Sequence, residues 1–315
     1  MTGSATNGSH PEATVLLCYD GSRESAIAIA RAGELLTARR AVVASVWEGV
    51  AMLAQAPLAG PSPGAIADAA GMIDENDRDR AEKRVAEGVA LALDAGFDAS
   101  SAPLCLERNV WWTLNQYATK HHIEIIAVGA RGRSRVARTL LGSTSDGLLH
   151  HAEPAVLVVP ATATEPGDGP VMFCDDGSDN SHRAARFGRT LLRGPGMVVS
   201  LWRSLEANVP YMAVGAGAAA GMAQELDRGR DEQAAEAAAR TAQVATADGR
   251  GCDSESVRCD GPTWRGLLDT ANERDAAAVV LGTRGMTGIV GALGSVAGAV
   301  AQHSPRPVLV VPPAS

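Results

Sequence analysis

The chain reads as an α/β protein built twice, as two tandem parallel-sheet domains with helices on both faces. Three observations lead there. Short continuous apolar runs alternate with amphipathic segments, the pattern of strands buried on both faces and separated by helices. The same order of segments occurs twice, displaced by 152 to 156 residues throughout. In each copy one apolar run ends in a glycine-punctuated, arginine-bearing loop.

The elements of the first copy follow in order. The run from Val15 ends in Asp20-Gly21-Ser22, a turn sequence, and an amphipathic helix begins near Arg23, with Ile27, Ala30 and Leu35 on one face. A second strand, AVVASVW, ends at Trp47. A variable segment rich in Pro and Gly around residues 57–64 precedes a charged helix over about 72–95. A weak third strand over Ala102–Leu106 and a helix over Trp111–Lys120 come next. Strand Ile123–Val128, the glycine loop, a further helix and strand Ala155–Val159 complete the copy.

The second copy repeats these landmarks. Cys18 aligns with Cys174, Asp20 with Asp176, Trp47 with Trp202 and Trp111 with Trp264, and both copies close on LVVP. The expected organisation is a flexible tail at 1–12, a first domain at 13–160, a Pro/Gly-rich linker at 161–169 and a second domain at 170–315. Gly215, Gly217 and Gly221 miss the Gly-x-Gly-x-x-Gly spacing and follow no clear strand, so they read as a flexible segment.

Composition removes several classes of function. The 315 residues carry a net charge of −8, which argues against a nucleic-acid backbone as partner. No run approaches the roughly 20 apolar residues of a membrane span, and the small, polar N-terminus does not resemble a signal peptide. Lys83 and Lys120 are the sole lysines, so there is no Walker-type lysine motif. The odd count of five cysteines points to reduced thiols and a cytoplasmic location. Cys18 and Cys174 read as small core residues, and Cys252 and Cys259 lack the paired spacing of a zinc site. His150, His151 and His303 read as structural.

The two glycine loops carry the chemistry. The first has Gly129, Gly132 and Gly142, then Ser143 and Thr144; the second has Gly282, Gly285 and Gly294, then Ser295 and Val296. Without a Cβ, such positions let backbone N–H groups approach phosphate oxygens, and a following helix N-terminus favours negative charge. Arg131, Arg133, Arg135 and Arg138 make the first loop basic, whereas the second has Arg284 alone. Each residue also has a simpler reading. The glycines can serve tight turns, the serines can be N-caps, and Asp20 and Asp176 can cap a helix or close an Asx turn.

The spacing of Gly129, Gly132, Gly142 and Ser143, with Asp-Gly-Ser after the first strand of both copies, resembles the universal stress protein family in its tandem, two-domain form. The likeness runs from Val15 to Pro312. The second copy departs from the pattern, with eight rather than nine residues between its last two glycines. The resemblance implies two Rossmann-like (adenine nucleotide alpha hydrolase-like) open sheets of five parallel strands, ordered 3-2-1-4-5. It also implies ATP, with or without Mg, at the loops. Asp20 would lie by the nucleoside and Val46 would offer backbone groups to the adenine edge, with Asp176 and Leu201 as their counterparts. Gly21, Ser22, Gly177 and Ser178 belong to the same turns. The family likeness further implies that the two fifth strands, Ala155–Val159 and Val308–Val311, meet about a pseudo-twofold axis, one chain mimicking a homodimer; further dimerisation stays open. The expected function is a nucleotide-binding stress-response module without fast turnover. A slow ATPase or autokinase, and a structural dimerisation module that has lost one or both sites, are the alternatives.

Overall fold

The computed structural model describes residues 13–49, 63–132, 141–163, 165, 167–204, 216–246, 250–283 and 293–313. The first half runs β1 (Thr14–Cys18), α1 (Arg23–Leu35), β2 (Arg40–Trp47), α2 (Pro63–Asp94), β3 (Asp98–Cys105), α3 (Val110–Lys120), β4 (Ile125–Gly129), α4 (Ser143–His151) and β5 (Ala155–Val159). The second half repeats it as β6 (Val171–Asp175), α5 (Asp179–Leu191), β7 (Gly196–Trp202), α6 (Ala216–Ala245), β8 (Cys252–Arg258), α7 (Thr263–Glu273), β9 (Ala278–Gly282), α8 (Ser295–His303) and β10 (Val308–Val311).

The strand order is β3-β2-β1-β4-β5-β10-β9-β6-β7-β8, which is 3-2-1-4-5 followed by its mirror sequence. Neighbours within each half are parallel. At the centre β5 and β10 pair antiparallel, with Leu157 opposite Leu309. The two expected five-stranded sheets are therefore continuous, forming one ten-stranded sheet. The reason lies in the sequence of these strands. Apart from Ala155 both are runs of Val and Leu, buried at every position, and a bare edge of that composition invites another strand.

Alternation along the strands divides the core into two layers. Val15 and Leu17 face α1 and α2, packing with Ala28, Ile29, Val85 and Ala92. Leu16 and Cys18 face α3 and α4, packing with Leu114, Ala118, Leu148 and Leu149. The second half repeats this division, so both layers run the length of the molecule. The ends of α1 and α5 add a second seam between the halves. Thr37 N–H donates to Leu191 O at 2.7 Å, and Arg193 N–H donates to Leu35 O at 2.8 Å.

Four sequence expectations are corrected. The apolar face that α1 buries carries Ala28, Ile29, Ala32 and Leu35, whereas Ile27 is half-buried and Ala30 exposed, because the helix turns a different stripe to the sheet. Helix α2 begins at Pro63, well before residue 72, because proline at a first helical turn costs no hydrogen bond. Strand β3 starts at Asp98, where polar residues conceal it because it is an exposed edge strand. Gly217 and Gly221 lie in α6 rather than in a flexible segment, while Gly215 lies outside the described residues. Helix α6 is supplied with alanines that pack on the sheet, Ala238 and Ala242 among them.

Candidate nucleotide site

The C-terminal ends of β1, β2 and β4 open onto a crevice of about 220 Å³ in the first half. This is the edge of a parallel sheet where ligands bind, beside the point at which the winding reverses. Its wall nearest α1 is the Asp20–Ser22 turn. Gly21 has φ +81°, a left-handed conformation that suits glycine. Ser22 is the N-cap of α1, its hydroxyl oxygen accepting from Ser25 N–H at 3.1 Å. Asp20 Oδ1 accepts from Ser22 N–H at 3.0 Å and from the Ser22 hydroxyl at 2.5 Å. The Asx-turn reading thus holds for one carboxylate oxygen. The other, Oδ2, faces the loop after β4, where a Cβ added to Gly132 would stand 2.6 Å from it.

The opposite wall is the start of α4. Ala130 N–H donates to Val159 O at 2.7 Å, and Gly142 N–H donates to Ala130 O at 2.8 Å. The Ser145 hydroxyl donates to the carbonyls of Ala130 and Gly142, both at 2.9 Å. These bonds fasten the loop ends, so the first turn of α4 is rigidly aimed. Helices α1, α3 and α5 are capped by the side chains of Ser22, Asn109 and Ser178, which accept from the backbone N–H groups of Ser25, Trp112 and Ser181. Helix α4 has Gly142 at the cap and no such bond, as α8 has Gly294. Among the described residues no N-cap side chain takes up the first N–H groups of these two helices. Trp111 steadies α4 from behind, stacking on His151 at 4.6 Å and lying over Gly147, where a Cβ would meet its ring at 2.2 Å. Trp264 and His303 repeat the stack at 4.8 Å, so these histidines hold helix pairs together.

Asp20, Gly129, Arg131 and Gly132 from the sequence reading line the crevice, as do Gly142, Ser143 and Thr144. Val46 joins them at the end of β2. Gly21 and Ser22 do not; they shape the turn that positions Asp20. The floor is apolar, and its residues lie outside those that the glycine loops and turns of the sequence mark as a site. It consists of Cys18, Ala44 and Val128 on the strands and Val110 and Leu114 on α3. Two periodicities would have pointed there: Ala44 precedes Val46 by two residues on a strand, and Val110 precedes Leu114 by four on a helix. Burial, reinforced by the Asp20 charge, pushes the Cys18 thiol far up from its ordinary range. It serves as floor rather than as a nucleophile. Burial also raises the Tyr19 phenol, with the Glu87 and Asp20 carboxylates adding to it.

The second half repeats the framework with differences. Asp176 Oδ1 accepts from Ser178 N–H at 3.1 Å, Gly177 has φ +76°, and Ser178 caps α5. Leu201 ends β7, Gly282 ends β9, and Gly294 N–H donates to Thr283 O at 2.6 Å before Ser295 and Val296 open α8. Asp176 is exposed, whereas Asp20 is half-buried. Arg284 and Gly285 lie outside the described residues, as do Arg133, Arg135 and Arg138. Among the described residues no group of three His, Cys, Asp or Glu could hold a metal ion, and no helix is long and apolar enough to cross a membrane.

Comparison with known proteins bears on this geometry. The model of the universal stress protein family matches residues 13–160 and again 169–312. A universal stress protein of Mycobacterium tuberculosis (strain H37Rv) is 31% identical over 195 residues, 59% of this chain and 61% of that protein. One of Mycolicibacterium smegmatis is 31% identical over 196 residues, 60% of this chain and 62% of its own length. The chain thus spans about six-tenths of the curated relatives it matches. The crystal structure of a universal stress protein from Archaeoglobus fulgidus superposes with a TM-score of 0.62 at 19% identity, covering 96% of this chain and 99% of that one. A Pseudomonas aeruginosa structure, titled a putative universal stress protein, gives 0.52 at 16% identity, covering 95% and 93%. At these identities the structural likeness speaks for the fold.

Proposed function

The chain belongs to the universal stress protein family, and on that footing we propose that its first half binds ATP as a stress-response or regulatory module of the cytoplasm. The observation that carries the reading is convergence. The second oxygen of Asp20, the glycines after β4 and the side-chain-free cap of α4 all border one crevice with an apolar floor. Each part suits one part of a nucleotide. Backbone N–H groups of Ser143 and Thr144, at the positive end of a helix dipole, suit phosphate oxygens. A carboxylate oxygen suits ribose hydroxyls, and the Cys18–Ala44–Val128 floor suits a purine face. Arg131 adds positive charge on the phosphate side.

Turnover is slow in this reading. The titratable groups of the crevice offer little to activate water, since Asp20 Oδ1 is engaged by Ser22, its Oδ2 is assigned to the ribose and the Cys18 thiol is held protonated. The test is direct. Freshly purified full-length protein is denatured and released nucleotides are identified by mass spectrometry, and ATP is titrated calorimetrically into nucleotide-free protein. Adenine nucleotide in the first measurement or saturable binding in the second supports the reading. Neither, with the protein folded, sinks it.

A further inference from the structure

We propose that the two crevices are not equivalent, and that the second half excludes the purine base, so that one chain holds one adenine nucleotide. The inference rests on the ATP reading of the first half. It is carried by the strand register beneath the two sites. In the first half Cys18 pairs with Ala44, and in the second Cys174 pairs with Val199. The residue beside the equivalent cysteine has therefore changed from Ala to Val. Two residues further along β7, Leu201 stands where β2 has Val46, and at the end of β9 Leu281 stands where β4 has Val128.

All of these side chains belong to the same face of the sheet. Cys18, Ala44 and Val128 share one apolar layer with Val199 and Leu281, and Val46, Cys174 and Leu201 pack against it. Counted over these three strand positions, the second half carries four more carbons than the first: two in Val199, one in Leu201 and one in Leu281. The helix that completes the floor does not retreat in size to compensate. Leu114 has Leu267 as its counterpart, and Val110 has the isosteric Thr263. Val199 is fully buried and Leu281 is 5% exposed. Atoms packed to this degree do not move aside cheaply, because core side chains already sit in close-packed rotamers. The extra carbons occupy the level at which Ala44 and Val128 leave room for a flat ring.

The experiment counts nucleotides on the full chain by native mass spectrometry and by calorimetric titration with ATP, for wild type and two variants. The expected result is one ATP per chain in wild type. Ala44→Val places the second half's residue in the first floor and weakens that site by roughly 10- to 100-fold. The double variant Val199→Ala, Leu281→Val opens a second site, raising the count toward two without weakening the first. A melting profile accompanies each variant; should Ala44→Val fail to fold, Val128→Leu makes the same test. Two equivalent sites in wild type would overturn this inference while leaving the ATP reading intact. A double variant that stays at one nucleotide would overturn the floor as the cause. No binding at all in folded wild type would instead overturn the ATP reading itself.

Discussion

Gly132→Ala separates a binding role from a packing role for the first glycine loop. Gly132 does not have a positive φ, so alanine suits its backbone conformation. The consequence lies in space. The new Cβ would stand 2.6 Å from Asp20 Oδ2, and the next nearest atom is the carboxyl carbon at 3.7 Å. Ordinary contact begins at 3.4 Å, so the oxygen must retreat by about 0.8 Å, the difference between 3.4 and 2.6. It cannot swing freely, because Oδ1 is held by the Ser22 N–H at 3.0 Å and the Ser22 hydroxyl at 2.5 Å. The retreat turns Oδ2 away from the crevice. A hydrogen bond to a charged group is worth about 1.5–3 kcal/mol, so ATP affinity should fall by roughly 10- to 150-fold. Stability should change by no more than about 0.5 kcal/mol, since the displaced atom is the end of a half-buried side chain. Calorimetric titration with ATP and a melting curve on the same preparation read both. Unchanged affinity with unchanged melting would refute the assignment of Asp20 Oδ2 to the ligand. A collapsed melting temperature would show that Gly132 is a packing residue.

Other expectations follow from the fold. Gly229 lies within α6, and nothing stands within 4 Å of a Cβ there; Gly229→Ala should stabilise by about 0.5–1 kcal/mol in chemical denaturation, and destabilisation would contradict the open space. Leu309 is fully buried opposite Leu157 at the central seam; Leu309→Ala should cost about 2–5 kcal/mol, and a loss below about 1 kcal/mol would mean that the seam carries little of the fold. Asp275 is held below the usual carboxylate range by the hydrogen bond from Arg306, then by the Asp168 N–H and the Arg306 charge. A depressed folded pKa stabilises above the ordinary carboxylate pKa of about 3.9 and loses that effect as pH falls through the folded value. Melting temperature should therefore drop less steeply below pH ~4 in Asp275→Asn than in wild type; asparagine also tolerates the residue's φ of +48°.

The parts of the fold that were legible in the sequence are those with local signatures. The buried parallel strands are short apolar runs; β5 and β10 show themselves fully, while β4 runs Ile125–Gly129 rather than the expected Ile123–Val128. The Asp20–Ser22 and Asp176–Ser178 turns announce themselves as turn and cap chemistry, and in the structure each does that work. Less legible were elements whose composition is dictated by position in the sheet. Strand β8 reads CDSESVR and is exposed or half-buried throughout, because among the described residues it is an edge strand of the sheet. The crevice floor was illegible for another reason: Ala44 and Leu114 look like any core residues until the ends of β2 and α3 are brought beside β1.

A paired exchange between the halves shows where sequence reasoning stops. Tyr19 in the first half fits against Gly88 of α2, where a Cβ would come within 2.9 Å of its ring. The corresponding residues of the second half are Asp175 and Thr241, and there the Thr241 hydroxyl donates to the buried Asp175 carboxylate at 3.0 Å, joined by Ser181 at 2.7 Å. Neither substitution has a meaning alone. The sequence by itself determined the duplication, the order of strands and helices in each copy, and the turns and glycines that mark a candidate site. Only the tertiary structure decided the register in which β5 and β10 join the two sheets, with Leu157 opposite Leu309, which oxygen of Asp20 faces the crevice, and how much room each floor leaves. Local propensity and periodicity act over a few residues and are written along the chain. Strand register, close approach and the volume left between side chains arise among residues far apart in it, and exist only once the chain has folded.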